Sequence, residues 1–253
     1  MILDIVRVFQ RVPTVVFAAP LIFLLPVLAE GLQHFVEFQI GMFASADSMA
    51  AAGASQQRLI FGVIKIISLL YVMLWVSRFW FQGAGSVSLL FGRQEFVSLL
   101  TLLGFTAAVM AFVIVAGPPL VEFVAASPLP VPENVLPFVP LLVLLLLTFP
   151  LQHLSVYWFG RFLGDDTMTV KRARRAVKGQ MNRMTLIFVV PIAPFMVLHY
   201  WLNYQGVGLE PQALAIVLTA DSILVGLMAI IMGNAVWATW EHAVHGTEAS
   251  SMT

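Results

Sequence analysis

The stretch from Leu59 to Phe81, LIFGVIKIISLLYVMLWVSRFWF, carries Lys65 and Arg78 as its only charged residues. A helix needs about 20 predominantly apolar residues to cross a hydrocarbon core of about 30 Å. This run meets that length and ends in aromatic residues, which membrane interfaces favour. Five further stretches qualify, so the predicted spans are 12–35, 59–81, 96–116, 137–162, 184–204 and 212–240. Runs such as Leu141 to Leu147 are continuously apolar and lack the in-out alternation of a barrel wall. The expected fold is therefore all-α, a polytopic transmembrane helix bundle occupying residues 1–253 as a single domain.

Composition supports that reading. Hydrophobic residues make up 60% of the chain and charged residues 10%, where soluble domains carry roughly a quarter charged. A net charge of zero argues against a nucleic-acid partner. The absence of cysteine excludes disulfides, thiolate chemistry, iron–sulfur clusters and Cys-ligated zinc.

Orientation follows from the basic residues of the short loops. With the N-terminus inside, Arg7, Arg11, Arg78, Arg93, Arg161, Lys171, Arg172, Arg174, Arg175, Lys178 and Arg183 face the cytoplasm, leaving Arg58 and Lys65 towards the other side. This predicts both termini inside and placement in a bacterial inner (plasma) membrane. An alternative reading of residues 1–29 is a cleaved signal, with Val27-Leu28-Ala29 before Glu30. The run from Val12 to Ala29 exceeds the usual 7 to 15 residues of a signal core. The outward loop Gly117 to Pro137 is rich in proline (Pro118, Pro119, Pro128, Pro130, Pro132, Pro137) and is expected to be an extended strap. The loop Ala44 to Gln57 is small and polar, expected to be mobile or weakly helical.

Residues 167–183 read as a basic amphipathic cytoplasmic helix. Asp166 or Thr167 can cap it. Val170, Ala173, Val177, Met181 and Met184 share one face, and Lys171, Arg172, Arg174, Arg175 and Lys178 fill the rest. Such a helix suits an anionic inner leaflet, although its charges could serve only to fix topology.

Ionisable residues inside a membrane are costly and point to function. Asp221 falls about 13 Å into the sixth span and Lys65 about 9 Å into the second, which makes them a candidate ion pair. A structural pair, or a protonated Asp221 bonded to Ser222 or a neighbouring helix, is the competing reading. Glu30, His34 and Glu37 fall on one helix face, suited to a divalent metal or a proton relay. Counted from Val12, however, Glu30 lies about 27 Å along, so the same group also reads as the wet face of a helix leaving the bilayer. His199, near Tyr200, Asn203 and Tyr204, could join either group or anchor the interface. His153 with Gln152, following Pro150, reads as interhelical glue. His242 and His245 make a weak metal pair without a third ligand.

No phosphate loop, His-Glu-x-x-His helix or Gly-x-Ser-x-Gly elbow occurs. No catalytic residue and no cofactor is assigned. Two spans end alike, in Arg78-Phe79-Trp80-Phe81-Gln82-Gly83 and Tyr157-Trp158-Phe159-Gly160-Arg161, and a cytoplasmic segment carries Arg172-Ala173-Arg174-Arg175-Ala176. In this pattern the chain resembles bacterial six-helix membrane proteins of the YciC-like type and the membrane domain found beside some glycerophosphodiesterases. The resemblance implies a six-helix membrane fold and supplies no site residues.

Three functions fit. The first is a membrane scaffold or accessory subunit with a membrane-protein partner and inner-leaflet lipids. The second is a transporter or channel component using Asp221 and Lys65. The third is an intramembrane enzyme using Glu30, His34, Glu37 and His199.

Overall fold

The computed structural model describes residues 1–53, 55–83, 88–89, 91–127 and 152–250, apart from the side chains of some helical residues in these ranges. The protein is all-α. Its described helices are α1 (Ile2–Gln10), α2 (Val12–Ala18), α3 (Pro20–Gln39), α4 (Ala46–Ala52), α5 (Gln56–Gln82), α6 (Arg93–Ala125), α7 (Gln152–Leu163), α8 (Val170–Val177), α9 (Met181–Gln205) and α10 (Pro211–Ser250). Among the described residues four helical segments are long and apolar enough to cross a membrane: Pro20–Gln39, Gln56–Gln82, Met181–Gln205 and Pro211–Val244.

The distribution of side chains on α3 fits an integral membrane protein. Its buried positions are Ile22, Pro26, Ala29, Glu30, Gln33, His34 and Glu37. Its exposed positions include Leu21, Leu28, Leu32, Phe35 and Phe38. A soluble helix would turn the leucines inward and the carboxylates to water. The reverse arrangement needs an apolar medium around the bundle, because exposed apolar patches of this extent are uncommon on soluble monomers.

The chain divides into two compact units, Met1–Leu89 with Asn182–Thr253, and Leu90–Met181. In the first, α3, α5 and α10 pack mutually, and α1 and α2 lie against α10. Small residues permit the close crossings. A Cβ added at Gly226 of α10 would stand 2.4 Å from Val27 Cγ2, and one at Gly233 2.6 Å from Val76 Cβ. Close approach of this kind is how membrane helices gain packing contact where no hydrophobic drive exists between them. The core between these helices is built on Val15, Ile22, Val72, Trp75, Val76, Phe79, Ala229 and Ile230. Polar clamps lock one end: Trp80 Nε1 donates to Asn234 Oδ1 at 2.7 Å, and Asn234 Nδ2 donates to the carbonyl of Val8 at 3.0 Å.

In the second unit α7 packs on α6 and α8. Gln94 Nε2 donates to the carbonyl of Arg161 at 2.9 Å, and Phe91 meets Phe162 edge-on at 5.5 Å.

Several expectations need correction. The first expected span is not one helix, because the backbone breaks at Ala19 (φ −143°, ψ 66°) before Pro20. The proline ring disfavours the α conformation of the preceding residue, so the membrane-length helix starts at Pro20. The expected extended strap is helical as far as Ala125. Pro118 and Pro119 lie inside α6, where an apolar helix tolerates them with the loss of local backbone bonds. Pro128, Pro130, Pro132 and Pro137 lie outside the described residues, as does most of the expected span 137–162. The loop after α3 contains α4, with Ser45 capping it by accepting from the Ser48 amide.

The basic helix is shorter than expected, Val170–Val177, and its cap is Thr169, whose hydroxyl accepts from the Arg172 amide. Asp165 competes for the preceding residues by accepting from the Thr167 amide at 3.0 Å. This local Asx-type bond holds Thr167 outside the helix. Gly179, at φ 78°, then ends the segment before α9. Ala173, Ala176 and Val177 are buried and Lys171, Arg174, Arg175 and Lys178 exposed, so the amphipathic pattern itself is present.

Candidate buried acid–imidazole site

Seven ionisable residues of α3, α5, α9 and α10, namely Glu30, His34, Glu37, Arg58, Lys65, His199 and Asp221, converge at one end of the first unit. The sequence spacing alone places Glu30, His34 and Glu37 on one face of α3. Pro26, one turn before Glu30, lies within the same helix. Glu30 is 0% exposed, His34 3%, Glu37 1% and Asp221 0%. The wet-face reading of the first three is therefore overturned. The helix restarts at Pro20, so Glu30 lies about 15 Å along it rather than about 27 Å.

His34 is the centre of the arrangement. Its Nδ1 lies 2.9 Å from Glu37 Oε2 and its Nε2 2.9 Å from Asp221 Oδ2, with Glu30 Oε1 3.4 Å from the same Nε2. Phe43 meets the imidazole edge-on, with ring centroids 6.3 Å apart. A neutral imidazole carries one N–H and cannot donate at both nitrogens. Holding carboxylates at both ends therefore requires one additional proton, on His34 or on a carboxyl.

Asp221 gathers a second imidazole. His199 Nδ1 lies 2.8 Å from Asp221 Oδ1, and Asn203 Nδ2 donates to Asp221 Oδ2 at 2.8 Å. Asn203 also donates to the carbonyl of His199, one turn back on α9, at 2.9 Å.

The fixed cations meet the other two carboxylates. Lys65 Nζ lies 3.0 Å from Glu30 Oε2, and Arg58 Nε donates to Glu37 Oε1 at 2.8 Å. Gln33 Nε2 donates to that same Glu37 oxygen at 2.7 Å. The expected Lys65–Asp221 pair is thus replaced by Lys65–Glu30. Lys65 and Asp221 are at comparable depth, but α3 supplies the nearer carboxylate to Lys65.

Three carboxylates face two fixed cations, which leaves one formal negative charge. One proton shared by the imidazoles neutralises it, matching the count from His34. Buried charges persist only when paired and hydrogen-bonded, since the desolvation cost is several kcal/mol per ion.

The cluster borders a cavity of about 300 Å³ lined by Glu30, Gln33, Glu37, Arg58, Lys65, His199 and Asn203 among others. Gln33 Oε1 is buried and accepts no hydrogen bond among the described residues. The segment after α3 closes over one side: Met42 and Phe43 pack on Leu214 and Leu218, and the Gly208 amide donates to the Phe43 carbonyl at 2.8 Å. One ligand atom each from Glu30, His199 and Asp221 lies within 4.8 Å of the others. The sequence-derived trio Glu30, His34 and Glu37 differs from this set, because His34 and Glu37 are taken up by each other and by Asp221 and Arg58.

The remaining candidates lie elsewhere. The side chains of His153 and Gln152 are outside the described residues, as is that of His245. His242 Nδ1 lies 3.7 Å from Asp4 at the N-terminal end of the bundle. Lys171, Arg172, Arg174, Arg175 and Lys178 belong to the second unit, where Arg172 Nη1 lies 3.3 Å from Asp165 Oδ2. Sequence reasoning missed Gln33 and the pairing role of Arg58. Gln33 falls between Glu30 and Glu37 on the same helical face, and that spacing is the signal that could have identified it.

Comparison with known proteins finds no family model, no curated protein and no solved structure that matches this chain.

Proposed function

We propose that the chain is a transport component of a bacterial inner membrane that exchanges a small cation for protons at the buried acid–imidazole site. The observation that carries this reading is the convergence of Glu30, His34 and Glu37 of α3, His199 of α9 and Asp221 of α10, with Arg58 and Lys65 of α5, beside a cavity. A purely structural core would be cheaper without it, since replacing buried ion pairs by packed apolar groups is often neutral or stabilising. In membranes such groups mark ion pathways and proton relays.

In this reading six spans cross the membrane, with α6 and residues 137–162 adding to the four apolar helices, and both termini face the cytoplasm. The site then sits in the outer half of the bilayer. Residues of the exposed basic face of α8, Lys171, Arg174 and Arg175 with Lys178 beyond it, contact anionic inner-leaflet lipids. That face favours a second role as an accessory subunit anchored to the inner leaflet.

The test uses purified protein in vesicles that contain a pH-sensitive dye. Inward gradients of Na⁺, K⁺, Mg²⁺ and Mn²⁺ are applied one at a time. The expected result is lumenal alkalinisation driven by at least one of these cations, lost in Asp221→Asn with helicity and elution unchanged. No response to any of them in the wild type overturns the proposal.

A further inference from the structure

We infer that Glu30, His199 and Asp221 form a binding site for a divalent first-row transition-metal cation, entering from the cavity. The inference rests on the exchange reading above and names the class of cation.

The donor set selects the class. Two carboxylates and one imidazole combine hard oxygen with borderline nitrogen, a combination suited to Mn²⁺, Fe²⁺, Co²⁺ or Zn²⁺. Mg²⁺ and Ca²⁺ prefer all-oxygen shells, and Cu⁺ prefers sulfur.

The geometry is close to what such an ion needs. Ligands at about 2.0–2.2 Å from one ion lie at most about 4.4 Å apart. The three atoms here already lie within 4.8 Å of one another, so a small side-chain adjustment brings them into range. They come from three different helices, α3, α9 and α10, which converge without a metal-binding loop. Asn203 and His34 hold Oδ2 of Asp221, the oxygen that His199 does not meet, as outer hydrogen-bond partners commonly hold metal ligands. Gln33, 3% exposed, lines the same cavity and carries an Oε1 without a donor among the described residues.

Proton linkage follows from the bonds already present. The contact of His199 Nδ1 with Asp221 Oδ1 at 2.8 Å requires a proton between them. A metal bound to both atoms displaces it or sends it to the other ring nitrogen. Ligating atoms must be free of protons, so metal binding is read together with proton release.

The probe is Mn²⁺, titrated into the full-length protein in lipid nanodiscs and read by electron paramagnetic resonance, with proton release recorded in weak buffer. The expected result is one Mn²⁺ per chain, ¹⁴N modulation from an imidazole ligand, and release of one or more protons. Glu30→Gln and Asp221→Asn should each weaken binding at least 10-fold, and His199→Gln should abolish the nitrogen signal. Glu122→Gln, on the exposed surface of α6, should change nothing. Absence of stoichiometric Mn²⁺ binding, or binding indifferent to all three site substitutions, overturns the inference. Where a variant fails to fold, Zn²⁺ competition against Mn²⁺ on the wild type still decides it: stoichiometric loss of the nitrogen-modulated Mn²⁺ signal is expected, and its retention overturns the inference. Cation-driven alkalinisation by Na⁺ or K⁺ without Mn²⁺ binding would contradict this assignment and leave the exchange reading intact. Mn²⁺ binding without any flux would do the reverse.

Discussion

His34 Nε2 stands 2.9 Å from Asp221 Oδ2, tying α3 to α10 across 187 positions of sequence. Glu37 holds the other ring nitrogen, and His199 holds the other oxygen of Asp221. The two residues therefore sit in series, and altering either changes the protonation demands of the whole chain of contacts.

Asp221→Leu leaves His34, His199 and Asn203 without their shared acceptor. Breaking a buried pair from one side costs about 3–5 kcal/mol, and thermal unfolding in detergent should show a loss of that order. Asp221→Asn keeps an acceptor oxygen and should lose markedly less. Equal losses for the two variants would contradict the hydrogen-bonded role assigned to the carboxylate.

Lys65 and Glu30 should be coupled. Lys65→Met strands Glu30, and Glu30→Gln strands Lys65. The double variant should recover stability relative to the sum of the single losses, by about 0.5–3 kcal/mol in a double-mutant cycle. The same cycle for Lys65 and Asp221 should give a smaller coupling. A larger value there would reinstate the pairing that depth alone suggests.

Gly233→Leu should destabilise the bundle by about 1–3 kcal/mol through overpacking, since even a Cβ there meets Val76 Cβ at 2.6 Å and the Met73 carbonyl oxygen at 2.9 Å. Gly104→Ala is the matched control. Among the described residues nothing stands within 4 Å of a Cβ at Gly104, and alanine is the better helix former by about 0.5–1 kcal/mol. Detergent unfolding midpoints should therefore move in opposite directions.

Replacing Lys171, Arg174, Arg175 and Lys178 by Gln removes the exposed charge of α8 and the residue following it. The wild type should unfold at a higher temperature in nanodiscs with anionic lipid than in neutral ones. This difference should shrink in the quadruple variant and at high salt. An unchanged lipid dependence would assign the charges to topology alone.

The apolar helices were readable from hydropathy because the bilayer sets their length. The 33 residues of α6, of which the sequence marks 96–116 as a span, show how a helix can continue beyond its apolar stretch. The face shared by Glu30, His34 and Glu37 was readable too, since helical spacing is local. Their depth was not, because counting from Val12 assumed a continuous helix that Ala19 and Pro20 interrupt. Pairing partners were least accessible. Lys65 and Asp221 have similar depths, but which carboxylate reaches Lys65 depends on helix rotation about its axis, and that is set by contacts such as Gly226 against Val27 and Gly233 against Val76.

Coupling between cation and proton can be tested most directly by driving the exchange from the proton side. Vesicles containing the protein are loaded at low pH, diluted into alkaline medium with trace Mn²⁺, and followed for metal uptake driven by the pH gradient alone. Uptake should rise with the outward proton gradient, collapse when an ionophore dissipates it, and disappear in Asp221→Asn. Uptake of the same size with and without the gradient would contradict the coupling.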